Sequence, residues 1–105
     1  MQLVTAIYRE TAKFPRDEVY GLTSQVRRAA VSVPSNIAEG QGRLSEKEFR
    51  HFLGLTRGSL MEVETQLQIA ENLAYVEQEP SLQLRQSAAE VGKILNGLIA
   101  KISSQ

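Results

Sequence analysis

The sequence predicts an all-α fold, an antiparallel up-down-up-down four-helix bundle formed as a single domain by residues 1–105. Apolar residues recur every three or four positions in four stretches of the chain, which is the period of a helix with one buried side. The breaks between the stretches are short, and short connections favour neighbouring helices that run in opposite directions. No stretch alternates polar and apolar residues for long enough to form a sheet.

The four helices are predicted near residues 2–13, 19–41, 46–76 and 80–102. The fourth has the most regular pattern, because its apolar residues alternate steps of four and three, as helices in bundles do. These residues are Leu84, Ala88, Val91, Leu95, Leu98 and Ile102. The third helix carries a long apolar stripe from Phe49 to Ala70, which is expected to face the core.

Residues that favour helix ends stand where the periodic stretches begin and stop. Ser45 followed by Glu48 fits a capping box, which satisfies backbone donors at the start of the third helix. Gly40 and Gly42 suit the end of the second helix. Pro80 suits the first turn of the fourth helix, where its missing N–H costs no hydrogen bond.

Two residues in the middle of the second helix need an explanation. Pro34 lacks an N–H and crowds the carbonyl of Ala30, so the helix either kinks there or stops and restarts. Because the apolar pattern continues from Val33 to Ile37, we expect a kink. Asn36 projects toward the edge of the core, and its amide is either satisfied within the protein or in contact with a ligand.

The second and third helices carry a second face of small and apolar residues opposite the core, on a wheel of about 100° per residue. A glycine inside a helix costs about 1 kcal/mol relative to alanine, so two on one face indicate close approach by another backbone. We therefore predict an interface between copies of this chain. The alternative is that each helix contacts two neighbours within its own bundle. The predicted interface residues are Val31, Pro34, Ala38, Gly54, Gly58 and Met61.

Opposite charges occupy different parts of a chain that has no net charge. Residues 22–58 hold six basic side chains against three acidic ones, whereas residues 59–90 hold six acidic side chains against one basic. A basic group of this kind can bind phosphates in a salt-dependent way. The alternative is a solvated or salt-bridged flank, including pairs with the acidic half of another subunit. The predicted nucleic-acid-binding residues are Arg27, Arg28, Arg43, Lys47, Arg50 and Arg57.

Three of these residues, Arg43, Arg50 and Arg57, are seven positions apart. They form one line on the third helix if its first turn includes Arg43. Lys47 lies beside that line. The line is the most continuous phosphate-binding surface that the sequence predicts.

The composition argues against catalysis and against metal or cofactor binding. Cysteine is absent, which excludes disulfides, thiolate metal sites and cysteine nucleophiles. Glu48 and His51 match the Glu-x-x-His spacing of di-iron bundles, but those sites need two such motifs and the chain has one histidine. Gly40 and Gly42 follow a helix, not the strand that a dinucleotide-binding loop requires. We expect no catalytic residue, no metal and no cofactor.

No apolar run approaches the roughly 18 residues of a membrane span, and no signal peptide is visible. We therefore expect a cytoplasmic protein that does not bind membranes.

A long segment of the second helix resembles a known family. Phe14-Pro15 leads through Glu18 and Tyr20 to the run LTSQVRRAAVSVPSNIAEGQGR, from Leu22 to Arg43. This segment is similar to the bacterial four-helix-bundle family of proteins encoded in intervening sequences of large-subunit ribosomal RNA. That family includes the accessory variability protein of diversity-generating retroelements.

The resemblance implies an up-down-up-down bundle that forms a homopentameric ring with a central channel. The retroelement branch implies a reverse transcriptase and RNA or DNA as partners, whereas the intervening-sequence branch has no established activity. By position, Arg27, Arg28 and Arg43 match the family's basic motif. The family's central motif, with an expected structural role, corresponds to Ser35, Asn36, Glu39 and Gly40.

The expected function is a non-enzymatic oligomeric scaffold associated with nucleic acid or with a nucleic-acid-processing partner such as a reverse transcriptase. The alternative is a pure protein-interaction module that does not bind nucleic acid.

Overall fold

The computed structural model describes residues 2–103, and this part of the chain contains four α-helices and no strand. The helices are α1 (Gln2–Thr11), α2 (Leu22–Gln41), α3 (Glu46–Asn72) and α4 (Gln78–Ser103). A short 3₁₀ turn, Arg16–Glu18, lies between α1 and α2. The predicted all-α class is confirmed.

Each helix packs against the one that follows it, and α1 also contacts α4, which closes the bundle. The helices differ in length: α1 has 10 residues and extends about 15 Å, whereas α3 has 27 residues and extends about 40 Å. The molecule measures 46 × 23 × 19 Å. Over much of its length, α3 therefore lies between only two other helices, α2 and α4.

The core is built around α3, as its apolar stripe predicts. Leu53, Leu60, Val63, Leu67 and Ala70 are each at most 2% exposed. The other buried apolar residues come from all remaining elements: Ile7, Phe14, Leu22, Val26, Ala29, Ala30, Val33, Val76, Leu84, Ala88 and Leu95. In α2 and α3 this distribution follows the predicted helical period, whereas in α4 the predicted stripe is buried at Leu84, Ala88 and Leu95 but not at Leu98, which is 37% exposed.

The predicted start of α3 is confirmed, whereas its predicted end is not. At the start, Ser45 is the N-cap, and its Oγ accepts a hydrogen bond of 3.1 Å from the backbone N–H of Glu48. At the other end the predicted boundary is wrong, because α3 stops at Asn72 instead of continuing to residue 76. Ala74 adopts a left-handed conformation with φ of 62°.

The turn after α3 is a Schellman motif. The N–H of Tyr75 donates to the carbonyl of Ala70, and the N–H of Ala74 donates to the carbonyl of Glu71, each at 2.9 Å. Glycine usually occupies the left-handed position of this motif, so an alanine there gives no sequence signal for the end of the helix.

The two glycines assigned to the end of α2 have different roles. Gly42 is the C-cap, as predicted, with a right-handed φ of −78°. Gly40 is the last residue but one of the helix and is buried, so it lies at the helix end as predicted but packs against α3 and is not the cap. A Cβ on Gly40 would lie 2.9 Å from Cδ1 of Phe49 and 2.9 Å from Cβ of Phe52. Gly40 therefore permits α2 and α3 to approach closely.

Of the two possibilities at Pro34, the structure excludes one, and the expected kink stays a prediction. The helix runs without interruption through Pro34, which excludes a stop and restart there. Asn36 Nδ2 donates a 2.8 Å hydrogen bond to the carbonyl of Ser32, so this half-buried amide is satisfied within its own helix. Ser32 in turn bonds Ser59 Oγ at 2.5 Å, which links α2 to α3 through a polar contact.

Candidate assembly and nucleic-acid surfaces

The predicted interface residues of α2 lie beside α1. Val31, Pro34 and Ala38, here called the α2 strip, follow one another at helical spacing after Arg27. Arg27 Nε donates to Oγ1 of Thr11 on α1 at 2.7 Å, which fixes this side of α2 against α1. Val31 is 40% exposed, Pro34 is half-buried and Ala38 is exposed.

The predicted interface residues of α3 lie beside α4. Gly54, Gly58 and Met61, here called the α3 strip, surround Arg57, whose Nη1 donates to Oδ1 of Asn96 on α4 at 3.4 Å. A Cβ added to Gly54 or Gly58 meets nothing within 4 Å, and Met61 is 63% exposed. Nothing in the described part of the chain uses the space that these glycines leave open.

The two strips lie on different helices. The side-chain bonds of Arg27 and Arg57 place one strip on the side of α2 that contacts α1 and the other on the side of α3 that contacts α4. The six residues were predicted as one interface, and the structure distinguishes two strips within it. A helical wheel gives the angle of each residue about its own axis but not the neighbour on that side.

Three of the predicted nucleic-acid-binding residues share one side of α3. Lys47, Arg50 and Arg57, here called the α3 basic row, are exposed, and Arg50 and Arg57 both contact α4. Arg50 Nη1 contacts Oγ of Ser103 at 3.5 Å. This contact and the 3.4 Å bond from Arg57 to Asn96 are both long for hydrogen bonds and are therefore weak. None of the three forms an ion pair with any residue between 2 and 103, so their charges are not neutralised there.

Arg43 does not belong to this row. The line of Arg43, Arg50 and Arg57 depended on a third helix that includes Arg43, but α3 begins after its N-cap Ser45. Arg43 lies in the preceding turn, where Nη2 pairs with Oε1 of Glu39 at 2.5 Å. Its guanidinium also lies 5.0 Å from the ring centroid of Phe52.

Arg27 and Arg28 form a separate pair on α2. They precede Arg43 by 16 and 15 positions, which corresponds to more than about 20 Å along the helix. Arg27 is half-buried, donates to Thr11 and to the carbonyl of Tyr8, and lies 4.5 Å from the Tyr8 ring centroid. Arg28 is exposed, and its Nη2 lies 3.3 Å from Oγ of Ser24. The six predicted residues thus occupy three places.

A polar cluster around Glu18 was not predicted from the sequence. It lies at the end of the bundle that holds the 3₁₀ turn. Glu18 accepts a 2.7 Å hydrogen bond from the Tyr75 hydroxyl and a 3.2 Å bond from the N–H of Leu22. These bonds lower the pKa of Glu18, and the bond to Glu18 raises the pKa of Tyr75. Because 57 positions separate the two residues, no local pattern signals the contact.

A second missed cluster joins α3 to α4. Arg85 Nη2 donates to Oε1 of Glu71 at 2.9 Å, and Arg85 Nε donates to Oγ of Ser81 at 3.3 Å. The hydroxyl of Ser81 and then the guanidinium of Arg85 lower the pKa of Glu71. Both clusters hold helix ends together, and we assign them a structural role.

The described residues contain no group of three or more histidine, aspartate, glutamate or cysteine side chains that is close enough to hold a metal ion. His51 is exposed and meets the edge of the Phe52 ring. Between residues 2 and 103, no helix has the length and apolar character that crossing a membrane requires.

Comparison with known proteins places this bundle in a family. A crystal structure of a protein of unknown function, from the S23 ribosomal protein family of Bacteroides thetaiotaomicron, is similar with a TM-score of 0.80. The two chains are 20% identical, and the match covers 91% of this chain and 87% of the other, which establishes a shared fold. No curated protein matches the sequence. The sequence model of the 23S rRNA-intervening sequence protein family matches residues 1–97, and the chain therefore belongs to this family.

Proposed function

We propose that this chain is a non-enzymatic subunit of a cytoplasmic homo-oligomeric scaffold, a homopentameric ring, that associates with nucleic acid. The observation that carries the proposal is that the two strips lie on different helices, one on the side of α2 that contacts α1 and one on the side of α3 that contacts α4. A closed ring with an odd number of identical subunits needs two different contact patches on each subunit, because each subunit meets its neighbours head to tail. The two strips provide such a pair.

The chemistry of the strips supports a protein partner. Met61 and Val31 are large apolar residues that remain exposed, and exposed apolar patches mark contact sites. Gly54 and Gly58 leave room for a neighbouring backbone, at a cost of about 1 kcal/mol each in helix stability. A contact between subunits that uses the space beside these glycines would compensate for the lost helix stability.

The α3 basic row supports association with nucleic acid. Lys47, Arg50 and Arg57 carry unpaired charge beside the α3 strip, so a ring would repeat the row once in every subunit. Repeated modest contacts add to a much higher overall affinity. Membership of a family named for an intervening sequence of 23S rRNA makes RNA the first ligand to test. A nucleic-acid-processing protein such as a reverse transcriptase is the partner that the retroelement branch would supply.

The test removes two charges of the row. The double variant Arg50→Gln/Arg57→Gln should weaken RNA binding in a gel shift at ~50 mM salt, and it should flatten the dependence of affinity on salt. Arg9→Gln/Lys13→Gln removes two charges from α1 and the turn after it, and is the matched control. Light scattering on each variant shows whether the assembly is intact.

The alternative function is a protein-interaction module in which the basic residues stabilise contacts between subunits. It predicts that the Arg50→Gln/Arg57→Gln variant changes the molar mass and nothing else. If the native protein binds neither RNA nor DNA at ~50 mM salt, where phosphate contacts are strong, the nucleic-acid proposal is wrong and this alternative replaces it.

A further inference from the structure

A cleft runs along the surface between α1, the 3₁₀ turn and the first half of α2. Its main hollow has a volume of about 630 Å³ and is lined by Tyr8, Arg27, Arg28 and Val31, among others. A second hollow of about 340 Å³ adjoins it toward Arg16, because the two share Arg27 among their lining residues. The main hollow has the size of known small-molecule sites, which measure ~300–1,000 Å³.

The charge of the cleft is positive and not neutralised. Arg16, Arg27 and Arg28 line the two hollows, and no carboxylate does. None of these three arginines forms an ion pair within the described range of 2–103. A guanidinium has five N–H donors, of which the recorded hydrogen bonds use two in Arg27 and one in Arg28. The remaining donors fit an anion with several oxygens, above all a phosphate.

Part of this cationic surface is held in place before any ligand arrives. The bonds from Arg27 to Thr11 and to the carbonyl of Tyr8 fix its guanidinium over the Tyr8 ring. A fixed guanidinium loses little freedom when it binds an anion, so more of the interaction energy appears as affinity. Thr23 also lines the cleft, and its buried hydroxyl has no hydrogen-bond partner. Such a group is rare in folded proteins.

The other residues that line the cleft are apolar or carry a hydroxyl group. Tyr8, Val19 and Val31 line it and are between 40% and 50% exposed, so an apolar wall borders the arginines. Ser24 and Ser35 also line the cleft along α2, as does Ser32, whose hydroxyl is bonded to Ser59 of α3. A ligand that matches this surface combines an anionic group, a flat apolar ring and hydroxyl or amide groups.

We propose that the cleft binds one nucleotide, with its phosphate at Arg27 and Arg28 and its base against Tyr8. The nucleotide is either free or one unit of a single-stranded RNA, and in the second case the inference rests on the proposed function. Val31 also belongs to the α2 strip, so in the proposed ring the cleft opens beside a boundary between subunits.

The test is isothermal titration of the assembled protein with adenosine monophosphate, adenosine, inorganic phosphate and a short single-stranded oligoadenylate. Adenosine monophosphate should bind, and adenosine and phosphate should each bind at least about tenfold more weakly, because each lacks half of the contacts. Arg28→Gln should weaken binding of adenosine monophosphate about tenfold. Arg9→Gln, an equal charge change outside the cleft, should leave it unchanged.

A second pair of variants protects the test from effects on folding. Ser35→Glu places a carboxylate in the cleft and should weaken binding of adenosine monophosphate, whereas Ser35→Gln has a similar size and should do so much less. Thermal unfolding and light scattering confirm that each variant is folded and assembled.

Several results would overturn the proposal. These are no binding of adenosine monophosphate at about 1 mM, equal affinity for phosphate alone, and no effect of either Arg28→Gln or Ser35→Glu. Arg28→Gln would also overturn it by changing the molar mass instead of the affinity, because the cleft would then be a subunit contact.

The same variants distinguish a free nucleotide from a nucleotide within RNA, and they distinguish this proposal from the proposed function. If Arg28→Gln weakens the oligoadenylate together with adenosine monophosphate, the site reads a unit of RNA. If only the free nucleotide is affected, the site is independent of RNA. Loss of RNA binding through Arg50→Gln/Arg57→Gln tests the proposed function, and that proposal can fail while adenosine monophosphate still binds.

Discussion

Two regions of the α2–α3 pair use glycine in opposite ways. At Gly40 the space of a missing side chain is filled from within the chain, by the ring of Phe49 and the Cβ of Phe52. At Gly54 and Gly58 the same space is open, with no atom of the described chain within 4 Å. The first region is fully packed within a single chain. In the second, the two glycines lower the stability of the helix, and no contact within the chain compensates for this loss.

The difference separates a folding role from an assembly role for the same residue type. A glycine that is filled from within contributes to the stability of the bundle. A glycine that is open on an exposed strip contributes only if another molecule approaches it. Substitution by alanine distinguishes these cases, because it adds one methyl group at each position and improves helix propensity equally.

The largest effect is expected at Gly40. Gly40→Ala places a methyl group 2.9 Å from Phe49 and Phe52, and overpacking of this kind should lower the free energy of unfolding by about 2 kcal/mol. Urea denaturation measures the change. Gly42→Ala is the control, since its Cβ would meet the Glu39 carbonyl at an ordinary 3.5 Å. A Gly40→Ala protein as stable as Gly42→Ala would show that α2 and α3 do not depend on this close approach.

The next effect concerns assembly. Gly58→Ala adds a methyl group that meets nothing in its own chain, so a weakened assembly would come from a clash with a neighbour. We expect the dissociation constant of the assembly to rise about tenfold or more. Gly97→Ala on α4 is matched, because its added Cβ also meets nothing within 4 Å. Light scattering across a dilution series compares them, and identical behaviour of the two variants would remove the α3 strip from the interface.

Ala74 is the reverse case, a left-handed position without a glycine. Ala74→Gly should relieve the conformational cost of φ 62° and raise the free energy of unfolding by about 0.5 kcal/mol, after the added freedom of the unfolded chain is counted. Thermal or urea unfolding measures this gain. A loss of stability would mean that the alanine methyl group packs in a way that outweighs its backbone cost.

The smallest effect is expected at Gly21, where the neighbour is flexible. A Cβ there would lie 2.6 Å from Oε1 of Glu18, which accepts from the N–H of Leu22, so Gly21→Ala should displace this carboxylate and weaken its bonds to Leu22 and Tyr75. The folded-state pKa of Glu18 is lowered, so its contribution is present above the ordinary carboxylate pKa of about 4.3 and is lost as pH falls through the lowered value. Gly21→Ala should therefore show a shallower loss of stability in acid, measured by urea unfolding from pH 7 downward.

Glu71 provides the control for that acid limb, because its pKa is also lowered. Glu71→Gln should remove its own share of the acid loss in both the native and the Gly21→Ala backgrounds. An acid limb that is identical in Gly21→Ala and the native protein would show that Gly21 does not position Glu18.

The sequence predicted the features that depend on local pattern. Four helices, the N-cap at Ser45 and the core stripe of α3 all follow from periodicity and capping chemistry, and the structure confirms them. The end of α3 was missed because Ala74 stands where glycine would have signalled the turn. Here tertiary contacts, including the bond from Tyr75 to Glu18, accompany a conformation that local propensity disfavours.

The candidate surfaces depend on packing that a single helix does not encode. Wheel positions identified both strips and the row of Lys47, Arg50 and Arg57, but they did not show that α1 lies beside the first strip and α4 beside the second. The role of Gly40 required the position of Phe49 from another helix. In each case the missing information was which neighbour occupies which side.

The central claim is that the two strips join identical subunits, and the molar mass of the native protein in solution tests it most directly. Multi-angle light scattering at micromolar concentration should give a mass close to five times the 11.7 kDa of one chain. A mass of 11.7 kDa at that concentration would contradict the account and leave Gly54, Gly58 and Met61 as ordinary solvent-facing residues.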